Sequence, residues 1–172
     1  ASDVYKRQIH KHHKKIKHDK NHKNTKHSNK ETSERGMTQM EFNNIVPGMS
    51  YEREFIVEEG DTAAHFGNDN VPVFASPRLL SWIEGTAIGT VAPFLPAGWE
   101  TVGTTFEFKH LAATPVGMKV RVITELKEVN GKLLTFSVKA YDEVDKISEG
   151  THGRAIIDLK KFLGRVNEKG KK

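Results

Sequence analysis

Two ionisable side chains of this sequence occupy positions on predicted apolar faces, among apolar residues. Glu84 lies on the apolar face of a predicted helix, one turn after Leu80 and one turn before Ile88. His110 lies on the apolar face of a predicted strand. Burying an ionisable group costs free energy unless the group has a partner or a use, so this carboxylate and this imidazole indicate a functional site. A desolvated carboxylate could act there as a base or a nucleophile, paired with the imidazole.

Each candidate at this site also has an ordinary structural interpretation. Glu84 could reach solvent or pair with a structural arginine, and a lone His110 on an apolar face is more often a core residue. Ser76 could cap the helix, with its hydroxyl also facing the site. Gly103 could be a β-bulge, or a point where a backbone amide approaches an oxyanion. Arg154 could be an edge-strand cation, or it could hold a carboxylate or a phosphate.

The helix that carries Glu84 is predicted from residue 76 to about residue 91. Ser76 suits the N-cap, and Pro77 suits the first helical turn. Pro93 and Pro96 end the element. Within it, apolar side chains recur at helical spacing: Leu80, Ile83, Ala87, Ile88 and Val91.

Period-two alternation predicts strands on both sides of this helix. One strand precedes it at residues 51–58, and others follow at residues 100–111, 118–129, 134–140 and 146–159. One face of the first strand after the helix is predicted to carry Val102, Thr104, Phe106, Phe108 and His110. Asn130-Gly131 predicts a type I′ hairpin turn, because both residues tolerate a positive φ.

The order of one strand, one helix and four strands predicts an α+β fold. An antiparallel sheet has one apolar face to cover, and only one predicted helix is long enough to cover it. We therefore expect the sheet to wrap around one long central helix. Gly85 and Gly89, four residues apart on that helix, would either admit a second helix, for example from a twin subunit, or be ordinary small residues.

Composition divides the chain near Met37. Residues 1–36 hold 11 of the 27 Lys and Arg residues, 4 of the 22 Asp and Glu residues and 6 of the 9 His residues. This basic, low-complexity segment has too few large apolar side chains to form a core. The sequence favours a non-native or tag-like tail, and it leaves open a disordered arm or a nucleic-acid-binding or metal-binding arm. We expect one domain at residues 37–160 and a charged C-terminal tail at residues 161–172.

Several function classes lack their sequence features. The chain contains no Cys, which excludes disulfides, thiolate metal sites and a Cys nucleophile. No apolar run approaches the ~20 residues of a membrane span. We find no phosphate-binding glycine loop, dinucleotide fingerprint, spaced metal-ligand motif or nucleophile elbow. We therefore expect a cytoplasmic protein without a metal or cofactor, whose slightly acidic domain binds neither nucleic acid nor membrane.

Four segments carry a resemblance to a known family: VPVFASPRLLSWIEGTA, TVGTTFEFKHLAATPVGMKV, LKEVNGKLLTFSVKAYD and ISEGTHGRAII. Residues 71–157, which contain them, resemble the hot-dog-fold thioesterase superfamily, in particular the fluoroacetyl-CoA thioesterase-like family. The resemblance implies a hot-dog fold and hydrolysis of an acyl-CoA thioester. The segment HFGNDNVPVF is mostly polar where the fluoroacetyl-specific member has an aromatic-rich lid. We therefore expect a thioesterase of small or medium acyl-CoA esters and not one specific for fluoroacetyl-CoA.

The resemblance also implies roles for the candidate residues. A Thr that opens the family's long helix falls on Ser76, whose hydroxyl would polarise or orient. The family's Glu falls on Glu84, as nucleophile or general base, and its His falls on His110, which would aid proton transfer. The amide of Gly103 would bind the thioester carbonyl, with Arg154 as a further substrate-binding residue.

The family's assembly and one alternative complete these expectations. Family members are homodimers whose two sheets join edge to edge, with the sites at the interface, so we expect a homodimer or a dimer of dimers. The alternative is a non-catalytic acyl-CoA-binding module on the same fold. Such a module would bind a CoA ester saturably and release no thiol.

Overall fold

The structure is a computed structural model that describes residues 42–171. The predicted basic tail at residues 1–36 lies outside these residues, as does the beginning of the predicted domain through residue 41. The described chain contains the following elements in order: β1 (Ser50–Ile56), a 3₁₀ turn (Glu59–Asp61), α1 (Ser76–Val91), a second 3₁₀ turn (Ala92–Phe94), β2 (Trp99–His110), β3 (Lys119–Asn130), β4 (Leu133–Tyr141), β5 (Lys146–Asp158) and α2 (Leu159–Lys169). This order confirms the predicted α+β class.

The five strands form one antiparallel sheet in the order β1-β3-β4-β5-β2. β1 and β2 are therefore its edges. β5 lies between β4 and β2, and its Arg154 is only 1% exposed. The interpretation of Arg154 as an edge-strand cation is wrong, because β2 pairs with the outer side of β5. The order of the strands in the sequence does not reveal this pairing.

α1 covers one face of the sheet with a narrow stripe of buried side chains. Leu79, Ile83, Ala87 and Val91 are completely or almost completely buried and recur every four residues. Facing them are buried side chains of the central strands: Val120, Val122, Leu126, Leu134, Phe136 and Val138. Ile88 is 36% exposed, so the row of Leu80, Glu84 and Ile88 borders the core instead of facing it. The Glu84 side chain is 37% exposed and is therefore not fully desolvated within a single chain.

A hairpin connects β3 and β4 as predicted, but its two-residue loop lies one residue farther along the chain than expected. Asn130 pairs with Leu133, which leaves Gly131 and Lys132 as the two loop residues. Gly131 has a φ of 59° and occupies the first loop position, where a type I′ turn requires a positive φ.

The two helix glycines face β1 of the same chain. A Cβ at Gly89 would overlap with the ring of Tyr51, and one at Gly85 would lie 3.2 Å from the guanidinium of Arg53. One turn earlier, Trp82 stacks on Phe55 with ring centroids 4.3 Å apart. The glycines therefore admit side chains of the edge strand, which neither interpretation of the sequence had foreseen.

α2 occupies most of the predicted C-terminal tail. Asp158 caps this helix by accepting a hydrogen bond from the backbone N–H of Lys161 at 3.0 Å. The domain boundary suggested at residue 160 thus falls inside a helix. Within residues 42–171, no helix is long and apolar enough to cross a membrane.

Gly150 gives a stability prediction for the contact between β2 and β5. A Cβ at this position would overlap with the carbonyl oxygen of Glu107 and with the Cα of Phe108, which are backbone atoms that cannot turn aside. We expect Gly150→Ala to lower the free energy of unfolding by about 1–3 kcal/mol, measured by urea denaturation. Gly60→Ala is the matched control, because a Cβ there meets nothing within 4 Å. Equal stability of the two variants would contradict this packing.

Candidate active site

A β-bulge sets which residues of β2 face α1. The register between β2 and β5 shifts between Gly103 and Thr105. Gly103 pairs with Arg154 before the bulge, and Phe106 pairs with His152 after it. Because Arg154 and His152 are two residues apart on β5, their side chains share one face, and so do their β2 partners.

The bulge corrects the predicted face of β2. Strict alternation placed Val102 and Thr104 with His110, but the extra residue moves Thr101 and Gly103 to that side instead. Thr101 is accordingly buried and bonded to Arg154, whereas Thr104 is exposed. The predicted bulge near Gly103 is present, and it is the reason that Gly103 and His110 face the same way.

Ser76 and His110 form the first side-chain pair of the site. Ser76 Oγ lies 2.8 Å from His110 Nδ1. The predicted N-cap role of Ser76 is wrong: Ala75 is the N-cap residue, and no side chain caps this helix end. The hydroxyl is therefore free to bond to the imidazole.

The other nitrogen of His110 is buried without a partner. His110 Nε2 makes no hydrogen bond with any of residues 42–171. Burial lowers the pKa of His110 below its usual value of 6.5, so the ring is neutral at neutral pH. A neutral imidazole with one free nitrogen can accept or donate a proton.

Glu84 and Arg154 form the second side-chain pair. Arg154 Nη1 donates to Glu84 Oε1 at 3.1 Å, with the guanidinium 1% exposed and the carboxylate side chain 37% exposed. The pairing that was considered as the structural alternative for Glu84 is thus present. It also means that the carboxylate held by Arg154 in this structure belongs to the same chain.

Strand residues fix the guanidinium of Arg154 from the other side. Nε donates to Thr101 Oγ1 at 2.9 Å, and Nη2 donates to the carbonyl oxygen of Thr101 at 2.8 Å. Nη1 also lies 3.1 Å from His152 Nε2. Desolvation lowers the pKa of Arg154, and Glu84 raises it in opposition; an arginine stays protonated through such shifts.

Gly103 lets the carboxylate of Glu84 reach the sheet. A Cβ at Gly103 would lie 2.7 Å from Glu84 Oε1 and 3.4 Å from Cε1 of His152. Any larger residue would push the carboxylate away from Arg154. Glycine is thus required at this position because a side chain of the same protein, Glu84, closely approaches the backbone.

The two pairs are separate within one chain. Glu84 follows Ser76 by eight residues on α1, which corresponds to roughly 12 Å along a helix. Among the described residues, no hydrogen bond joins Glu84 to His110. The expected carboxylate–imidazole pair is therefore not formed inside a single subunit, although both groups lie between α1 and the same face of the β2–β5 pair.

Sequence reasoning did not select Thr101 or His152 for this site. The one available signal was that His152 shares a face with Arg154 on the last strand. Phe74, whose ring centroid lies 6.1 Å from that of His110, was also not selected. Within residues 42–171, no group of three or more His, Asp or Glu side chains is arranged to hold a metal ion.

Comparison with known proteins identifies the family. The family model described as fluoroacetyl-CoA-specific thioesterase matches residues 57–160. The fluoroacetyl-CoA thioesterase of Streptantibioticus cattleyicolor is 35% identical over 128 residues, which cover 71% of this chain and 92% of that protein.

Solved structures agree with this family and with the fold. The structure of a fluoroacetyl-CoA thioesterase has a TM-score of 0.68 at 34% identity, with 73% of this chain and 97% of that chain covered. A hot-dog-like protein from Thermanaerovibrio acidaminovorans has a TM-score of 0.71 at 23% identity, with 76% of this chain and 97% of that chain covered, and shows the fold alone. The chain thus belongs to the fluoroacetyl-CoA-specific thioesterase family and is a thioester hydrolase with the hot-dog fold, as the resemblance implied.

Proposed function

We propose that this protein hydrolyses the thioester of a small or medium acyl-CoA to the free acid and CoA, with Glu84 and His110 at the reacting centre. Membership of the thioesterase family supports the reaction. The observation that carries the assignment of residues is that Glu84 reaches Gly103 on the same sheet face that presents His110.

Glu84 supplies the group that starts the reaction. As a general base, it removes a proton from a water molecule whose oxygen attacks the thioester carbonyl carbon. As a nucleophile, it attacks that carbon itself, and water then cleaves the acyl-enzyme anhydride. In both routes Arg154 orients the carboxylate through Oε1, which is the hydrogen-bonded oxygen among the described residues, and Oε2 is left to react.

The other groups assist the breaking of the carbon–sulfur bond. The backbone amide of Gly103 donates to the carbonyl oxygen as negative charge develops on it. In the general-base route, the proton that Glu84 takes from water passes to His110 Nε2 and from there to the departing thiolate of CoA. Ser76 holds the opposite nitrogen, Nδ1, and so fixes the orientation of the imidazole ring. A thiolate leaves more readily than an alkoxide, so little acid assistance is needed.

We propose that Glu84 meets His110 across a homodimer interface. β2 is an edge strand of 12 residues and pairs on one side with β5. If two copies join antiparallel along β2, the strand direction is reversed across the two-fold axis. In the register whose axis passes between Phe106 and Glu107, His110 lies opposite Gly103, and so near Glu84, of the partner subunit.

The surroundings of His110 favour a short acyl group. Phe74 is 2% exposed. Its ring packs against His110, with centroids 6.1 Å apart, and against Trp82, with centroids 4.5 Å apart. These rings occupy the space on one side of the imidazole. A solved variant of the fluoroacetyl-CoA relative, with serine in place of a threonine, is in complex with acetyl-CoA. That complex supports a short acyl-CoA for a chain with a serine at position 76.

Glu84→Gln tests the proposed reaction. This change keeps an acceptor oxygen for Arg154 and removes the basic carboxylate. We expect kcat/KM to fall on the order of 10²–10⁴-fold, measured by thiol release from acyl-CoA esters of increasing chain length. The wild-type protein should prefer the short and medium esters in the same series.

Glu128→Gln is the matched control, because Glu128 is an exposed residue of β3, which lies away from the proposed β2 interface. It should leave turnover unchanged. Equal turnover by the wild type and Glu84→Gln would remove Glu84 from the mechanism. Saturable binding of the esters without thiol release by the wild type would overturn the proposed function.

Ser76 can be tested with one disruptive and one conservative variant. Ser76→Ala removes the bond to His110, and we expect kcat to fall roughly 10–100-fold, the effect of one hydrogen bond to a group that becomes charged. Ser76→Thr keeps the hydroxyl and should stay within a few-fold of the wild type. Ser81→Ala, on the exposed side of α1, is the control. Unchanged kcat in Ser76→Ala would show that this hydroxyl has no part in the reaction.

Mixing two inactive variants tests the shared site. In a heterodimer of Glu84→Gln and His110→Ala subunits, one of the two sites keeps both groups if each site draws on both subunits. After denaturation and refolding of an equal mixture, thiol release should recover to about a quarter of the wild-type rate. If each site lies within one subunit, the mixture will stay inactive. A monomer by sedimentation equilibrium would also contradict the proposal.

A further inference from the structure

The imidazole of His152 lies on the face of the sheet that α1 covers, and neighbouring groups enclose it. The residue is completely buried. Phe106 stacks almost parallel to its ring, with centroids 4.0 Å apart and an interplanar angle of 17°, and Phe136 lies on a neighbouring strand with its centroid at 6.4 Å. The ring therefore cannot turn without displacing aromatic side chains.

The hydrogen bonds of His152 define its protonation state. Nδ1 lies 2.8 Å from the carbonyl oxygen of Thr105, which can only accept, so Nδ1 carries the hydrogen. Nε2 lies 3.1 Å from Arg154 Nη1, which can only donate, so Nε2 presents its lone pair. Only the neutral Nδ1–H form satisfies both contacts. Desolvation lowers the pKa of His152 and favours the same form.

Because His152 is a neutral acceptor, it does not balance the positive charge of Arg154. Thr101 and His152 together bind three of its N–H groups without adding any negative charge. Glu84 is therefore the charged partner of this guanidinium in the described structure. His152 also directs Nη1, whose second hydrogen points to Glu84 Oε1. A protonated His152 would instead set two cations against each other.

We infer that His152 is a positioning residue that holds the guanidinium of Arg154 in place, so that Arg154 in turn fixes the carboxylate of Glu84 for reaction. The effect on catalysis rests on the proposed role of Glu84. The arrangement of His152 and Arg154 does not. His152 touches no reacting atom and acts only through Arg154.

The protonation state can be measured on the wild-type protein without any activity assay. Two-dimensional ¹⁵N NMR of the histidine side chains, with His152 assigned by its loss in a variant, should show the neutral Nδ1–H tautomer at pH 7.5. This state should persist on acidification to pH 6.5, because the folded protein disfavours the charged ring. An Nε2–H tautomer, or a midpoint of titration at or above pH 6.5, would overturn the inference.

Two amide variants separate the two hydrogen bonds. His152→Gln can keep an acceptor near the position of Nε2, whereas His152→Asn can keep only a donor near the position of Nδ1. We expect His152→Asn to lower kcat on the order of 10²-fold by misplacing Glu84, with little change in KM, and His152→Gln to retain most of the rate. Ile156→Val, on the same buried face of β5, controls for a general packing change.

A double-mutant comparison distinguishes positioning from a merely structural role. In a Glu84→Gln background, His152→Asn should cause no further loss of kcat, because the carboxylate that it positions is already absent. Independent, multiplicative losses would overturn the inference, as would equal rates in His152→Asn and His152→Gln. If Glu84→Gln alone keeps full turnover, the proposed function of Glu84 fails, while the NMR result still decides the geometry of His152. The NMR result also decides the geometry if His152→Asn does not fold.

Discussion

The site is organised around one fully buried guanidinium. A buried cation is tolerated only when its charge is paired and its N–H groups have acceptors, because leaving it unpaired costs about 3–5 kcal/mol. Arg154 meets this condition with partners from three elements: Thr101 on β2, His152 on β5 and Glu84 on α1. The requirement of one side chain therefore fixes the helix against the edge of the sheet where the chemistry is proposed.

This constraint explains features of β2 that would otherwise look unrelated. Glu84 can reach Arg154 only if the strand residue between them has no side chain, and that residue is Gly103. Thr101 can reach Arg154 only from the same face. The bulge after Gly103 then restores His110 to that face farther along the strand. One extra residue thus places Gly103 and His110 on the same face of the sheet, whereas strict alternation would place them on opposite faces.

Regular elements could be predicted from the sequence, because burial of one face imposes a period that the sequence must follow. The limits of α1 and the buried face of β4, with Leu134, Phe136, Val138 and Ala140, illustrate this. Gly103 suggested the bulge as one of two possibilities, but the pattern of apolar residues could not establish it, because a single inserted residue leaves that pattern almost unchanged. The position of β5 inside the sheet depends on which strand returns beside it, and local sequence does not contain that information.

The contacts among the candidate site residues could not be predicted from local sequence. Ser76 has the local features of an N-cap, yet its hydroxyl bonds to His110, 34 residues away. Glu84 pairs within the chain with a guanidinium, which the sequence offered as the structural alternative without identifying Arg154 as the partner. Contacts of this kind depend on several elements at once, so they follow from the fold and not from any one segment.

The separation of the two pairs has a consequence for how the site can work. Ser76 and Glu84 lie about two turns apart on α1, and no hydrogen bond joins their two pairs among the described residues of one subunit. A water molecule or a thioester that must contact both groups needs them within a few ångströms. Because each subunit presents both pairs on one face beside an edge strand, the proposed two-fold axis along that edge would supply two complete sites. The same pairing would protect the exposed backbone groups of β2. Stabilisation of the edge and assembly of the site would then depend on the same contact between subunits.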